Sequence, residues 1–161
     1  MASFFSKLFG KKEIETPVKE EIVSAKTIEL VQTSFEAVKP ISAVAAGIFY
    51  SKLFELDPKL KPMFPAADED KMKEQGNKLM TMLAGAVAGL SNIEALVPVL
   101  QDLGKRHVAY GVEKSHYDTV GAALLGTLEA GLGEAFTQDV KQAWTDVYGI
   151  IATTMIDASY E

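Results

Sequence analysis

Tyr50, Gln75 and His107 are polar residues that fall where apolar residues recur with helical spacing. Their types suit ligand chemistry: a neutral imidazole is a metal ligand, and a phenol and a carboxamide are hydrogen-bond donors. His107 follows Leu96, Leu100 and Leu103, spaced by four and then three, and it is the next position on that stripe. A buried imidazole needs a partner for each ring nitrogen. From this stretch alone it is either a core histidine bonded to backbone carbonyls or a metal ligand. Three polar groups on inward faces of three different helices together suggest a polar pocket inside a helical core.

Composition narrows the chemistry. The 161 residues contain no cysteine, which excludes thiolate zinc sites, cysteine nucleophiles, disulfides and thioether-attached haem or bilin. With two histidines a multi-histidine metal site is not expected, whereas one histidine serving a pre-assembled cofactor is. No Gly-rich phosphate loop, Ser nucleophile elbow or inward pair of carboxylates occurs. The net charge of −6 argues against nucleic acid as a partner. No apolar run approaches the ~20 residues of a transmembrane helix, so no integral membrane segment is expected. The lack of cysteine suits a reducing compartment, and a cytoplasmic location is expected.

The pattern around these residues is helical throughout, with no segment alternating at period two, and predicts an all-α fold. A first helix carries Ile28, Val31, Phe35 and Val38 and ends at Pro40. A second, Ile41 to Leu56, carries Ala43, Gly47, Tyr50 and Phe54 on one stripe. Asp57-Pro58 begins a short turn towards Phe64-Pro65. Asp68 is placed to cap a long helix with Met72, Gln75, Leu79, Met82, Leu83 and Ala86 inward. Ser91 to Glu94 has capping-box spacing ahead of the His107 helix, which Gly111 stops. Two further helices carry Tyr117, Val120, Gly121, Leu124, Leu125, Leu128 and Leu132, then, after a cap at Thr137, Val140, Trp144, Val147, Tyr148, Ile151 and Met155. Residues 26–161 are therefore read as one domain. Residues 1–25 read as an extension whose Phe4, Phe5, Leu8 and Phe9, with Lys7, Lys11 and Lys12, suit a short amphipathic helix for weak membrane or self-association.

Several independent motifs carry a family resemblance. Phe49-Tyr50-x-x-Leu53-Phe54 with Pro58 and Phe64, Glu74-Gln75 with Leu79, and Leu103-Gly104-x-x-His107-x-x-x-Gly111-Val112 with His116-Tyr117 stand in order, and Trp144 with Val147-Tyr148-Gly149 closes the set. From about Thr27 to Asp157 the chain resembles a globin, specifically the single-domain bacterial haemoglobins and the globin half of flavohaemoglobins. His107 lies 32 positions after Gln75, which fits that branch. Two positions depart from it. Phe35 stands where many globins carry Trp, and Ser159 stands where the branch often has a glutamate completing a His-Tyr-Glu network with the residue matching Tyr117. Neither Asp157 nor Glu161 has the matching spacing, so a strong imidazolate character at His107 is not implied.

The resemblance implies haem b held by helix packing and one Fe–N bond from His107, with its Nδ1–H given to a carbonyl one turn back. Phe64 would lie on the ring, with Leu79, Leu103, Val112, Tyr117, Val120 and Leu124 around it. Tyr50 and Gln75 would donate to O2, which carries partial negative charge when bound, and less to CO. The implied function is reversible O2 binding for storage, delivery or scavenging. The alternatives are nitric oxide dioxygenation with a separate reductase, and haem-based gas sensing; NO and CO are further expected ligands. His116 and Lys78 are the remaining side chains able to approach iron, His116 from the proximal side.

Overall fold

The computed structural model describes residues 23–160, so the amphipathic reading of residues 1–12 lies outside the described residues. Among the described residues six α-helices follow one another: α1 (Ala25–Val38), α2 (Ser42–Leu56), α3 (Glu69–Gly89), α4 (Ile93–Ala109), α5 (Lys114–Leu132) and α6 (Gln138–Ser159). Short 3-10 turns join most of them, and no strand occurs among the described residues.

Local chemistry sets the helix ends. The Ser24, Asp68 and Thr137 side chains accept from backbone N–H groups three residues on, at 3.1, 3.2 and 3.2 Å. Pro40 falls in the 3-10 turn Lys39–Ile41 that ends α1. Gly111, at φ +91°, makes the turn after α4, a conformation that a side chain would strain. The cap of α4 differs from expectation. Asn92, not Ser91, accepts from Ala95 N–H, at 3.4 Å, and the Ser91 hydroxyl instead accepts a bond from Gln32 Nε2 on α1.

The core forms where α1, α4 and α6 meet and where α2 crosses α5. Trp144, Phe35, Leu53, Val31 and Val147 are its largest fully buried side chains. Trp144 is tied by its indole N–H to the Ser34 hydroxyl at 2.8 Å, and its ring centroid lies 6.3 Å from that of Phe35. Gly104 permits a close approach of two helices: a Cβ there would stand 2.5 Å from the Met155 carbonyl oxygen on α6. Gly76 does the same for α3 and α2, where a Cβ would stand 2.9 Å from that of Ala46.

Three expectations are corrected. The inward face of α2 is Ala45, Ala46, Phe49, Tyr50 and Leu53, while Ala43 and Gly47 are exposed. On α3 the buried residues are Gly76 and Val87, and Met82 is exposed. The helical run from Glu69 to Ala109 contains a window apolar and long enough to cross a membrane by length and composition. That run folds as two helices interrupted by the 3-10 turn Leu90–Asn92, with Val87, Leu90, Leu96 and Leu100 packed into the core.

Candidate functional site

His107 sits in the last turn of α4, held there by the helix itself. Its Nδ1 is 2.8 Å from the carbonyl oxygen of Leu103, one turn back. A carbonyl only accepts, so Nδ1 carries the proton and Nε2 keeps its lone pair. Burial holds the imidazole pKa below its ordinary value, and the Arg106 charge adds to this against the opposing pull of the Leu103 bond. The side chain is a neutral donor on a half-buried face.

Tyr50 and Gln75 are brought together by the α2–α3 approach at Gly76. Burial raises the Tyr50 pKa, and a hydrogen bond with the Gln75 side chain pulls it back. An aromatic cluster fixes the phenol ring. Phe49 meets it edge-on at 5.1 Å between centroids, Phe64 at 5.3 Å, and Phe54 at 6.0 Å. Phe64 ends the 3-10 turn Pro58–Met63, and the neighbouring Met63 Cε reaches the turn after α4, 3.9 Å from where a Gly111 Cβ would stand. Residues 63 and 64 thus link the Tyr50 side of the site to the His107 corner.

Phe64, Leu79, Leu103, Val112 and Val120 are half-buried and packed against the core, and Tyr117 and Leu124 are buried. The Tyr117 ring lies 6.5 Å from that of His107. Its hydroxyl is buried without a hydrogen-bond partner. Burial, then proximity to Tyr160, pushes its pKa up to about 12. Ser159 turns its hydroxyl back to the Met155 carbonyl at 2.7 Å.

Two tyrosines that the sequence did not single out for this purpose hold the corner in place. Tyr148 on α6 donates to the Tyr117 carbonyl at 2.7 Å, and its ring lies where a Gly121 Cβ would be, at 2.8 Å. Tyr160 donates to the Val112 carbonyl. His116 has a local role: its Nδ1 accepts from Glu113 N–H at 3.0 Å in the capping box that starts α5.

These residues meet the requirements of a flat apolar cofactor with a metal centre. One imidazole offers a neutral Nε2 beside the Tyr110 and Tyr117 rings, half-buried aliphatic and aromatic side chains pack against the core, and two donors sit together on neighbouring helices. The fold and site define the class: an all-α protein with one half-buried, backbone-oriented imidazole in the last turn of α4. The globin family model matches residues 48–155. The chain is 31% identical over 145 residues to neuroglobin of Dissostichus mawsoni, spanning 84% of this chain and 91% of that one. It is 31% identical over 131 residues to the flavohemoprotein of Bacillus subtilis, spanning 81% of this chain but only 33% of the relative. The solved structure of a bacterial globin from Campylobacter jejuni superposes with a TM-score of 0.72 at 25% identity, covering 84% of this chain and 95% of that one. The chain belongs to the globin family, and haem binding comes with that membership.

Proposed function

We propose that the chain binds haem b through His107 Nε2 and binds O2 reversibly, with Tyr50 and Gln75 as the hydrogen-bond donors to the ligand. The observation that carries this reading is the pairing of a neutral, backbone-oriented imidazole with a buried phenol and its half-buried carboxamide partner in one globin fold. When bound, haem would supply an iron centre able to take a diatomic gas, with His107 as the residue that would hold it. The Leu103 carbonyl fixes the His107 tautomer and ring angle. The aromatic cluster around Tyr50 restricts its ring, so its hydroxyl donates along a fixed direction. A donor in a dry pocket stabilises a partly negative ligand by about 1 kcal/mol or more. Tyr117, whose hydroxyl has no acceptor, does not draw negative charge onto the imidazole side, which favours reversible binding over bond cleavage.

A ferric iron must be reduced before it takes O2, and the resemblance to flavohemoproteins supports a flavin-dependent electron donor. The test is spectroscopic and kinetic. His107→Ala should lose the haem absorption bands or hold them weakly, whereas His116→Ala should retain them. Tyr50→Phe keeps the ring and removes the donor. If that donor contributes about 1.4 kcal/mol, O2 release should quicken about tenfold with CO binding little changed. Equal effects on both gases would reject the donor role and indicate steric control.

A further inference from the structure

The corner between α4 and α5 leaves three large apolar side chains in solvent: Met63 is 38% exposed, Val108 40% and Tyr110 66%. They belong to one place. Met63 reaches the Gly111 turn, Tyr110 precedes it with its ring 6.0 Å from His107, and Val108 follows His107 directly. Isolated exposed apolar residues are ordinary; a group of them at the ligand-bearing corner is a surface with a use.

Cations surround it. Lys59 and Lys61 stand exposed on the turn that carries Met63, Lys105 and Arg106 on the last turns of α4, and Lys114 at the start of α5. The acids of the same segments, Asp57, Asp102 and Glu113, keep their charge but number three against these five cations, and each also has a local task. Asp57 accepts from Lys59 N–H, Asp102 pairs with Arg106 at 3.1 Å, and Glu113 caps α5. An apolar centre with a basic rim, in a chain of net charge −6, is a local reversal of sign. Such a rim steers an acidic partner and turns its face towards the apolar centre.

We propose that this corner is the docking face for an acidic electron-transfer protein, a flavin-carrying reductase, that reduces the iron at His107. The assignment rests on the haem reading above. Each encounter moves one electron: the partner's reduced flavin loses it, and the ferric iron becomes ferrous. Met63 and Tyr110 pack against the partner and exclude water, and the lysines set its orientation.

The test uses the full-length haem-loaded protein and a pre-reduced acidic flavodoxin as the probe, with dithionite as a small reductant that needs no docking. Reduction by flavodoxin is followed under CO by stopped flow. The rate should fall roughly tenfold as ionic strength rises from about 0.02 to about 0.2 M. The charge-reversed pair Lys61→Glu and Lys114→Glu should lose a similar factor at low salt, whereas Lys26→Glu with Lys141→Glu, away from the corner, should not. Dithionite rates and ferric spectra should be the same in all variants. Oxidised flavodoxin should also shift or broaden the NMR signals of the Met63 methyl and of residues 108–114, independently of any turnover. A salt-independent rate, equal losses in both pairs, or NMR changes elsewhere on the surface would overturn the docking face. Failure of the wild-type protein to take up haem would instead overturn the functional reading on which it rests.

Discussion

Two halves of this molecule are built to different standards. Where α1 and α6 cross, Trp144, Phe35, Val31 and Val147 are almost wholly enclosed, and the one polar atom of the indole is bonded to Ser34. In the half that carries His107, the side chains of Phe64, Leu79, Leu103, Val112 and Val120 pack on the core only half-buried, and the Tyr117 hydroxyl is buried without a partner. A core that must only hold together can close every contact. A core that must admit a ligand keeps apolar faces in reserve and carries polar groups at some cost to stability. The contrast separates residues kept for stability from residues kept for chemistry.

The largest expected effect lies in the closed half. Trp144→Ala should destabilise the fold by about 3–5 kcal/mol, since it empties the centre of the α1–α6 contact. Urea unfolding followed by circular dichroism measures this. A loss near that of a surface residue would abolish the distinction drawn above. Gly104→Ala lies on the seam between the halves, where the added methyl would press on the Met155 carbonyl and push α4 from α6. It should cost about 1–3 kcal/mol and also loosen haem, because the same helix carries His107. Retention of haem affinity despite the loss of stability would mean that α4 moves as a rigid unit.

The smallest effects sharpen the open half. Tyr148→Phe removes the phenol's bond to the Tyr117 carbonyl and should cost about 1 kcal/mol. Tyr117→Phe removes an unpartnered hydroxyl and should cost nothing at neutral pH, or stabilise slightly. The two variants part further in alkali. An unfolded tyrosine ionises near 10, while Tyr117 in the fold ionises near about 12. The folded state therefore holds its proton more tightly, so this contribution is complete below pH 10 and is lost as pH climbs towards 12. Tyr117→Phe should flatten that decline, as read by thermal melts across the alkaline range; an unchanged decline would place its origin in other tyrosines.

The helix ends were legible because their signals are local. Ser24, Asp68 and Thr137 each bond within their own first turn, and Gly111 is needed for a positive φ. His107 was legible through its register with Leu96, Leu100 and Leu103. The inward face of α2 was not. Apart from Ser42, Tyr50, Ser51, Lys52 and Glu55 its residues are apolar or glycine, so several stripes fit equally well and the crossing with α3 and α5 decides. Ser91 was misassigned for a related reason: Gln32, far away in the chain, claims its hydroxyl and leaves the cap to Asn92. The carbonyl bonds of Tyr148 and Tyr160 join residues 31 and 48 positions apart, and no local pattern announces them.

The close approach at Gly76 bears on how such a pocket can diverge. In the proposed site positions 50 and 75 hold the donors, and exchanging either residue would retune one contact at a time. Position 76 carries no donor, yet a single methyl there would meet Ala46 at 2.9 Å and separate the two helices that hold both donors. Descendants of this chain are thus free to vary the chemistry of the pocket in small steps while its width stays locked. A lineage that changed residue 76 would have to shrink residue 46 in concert to keep that width.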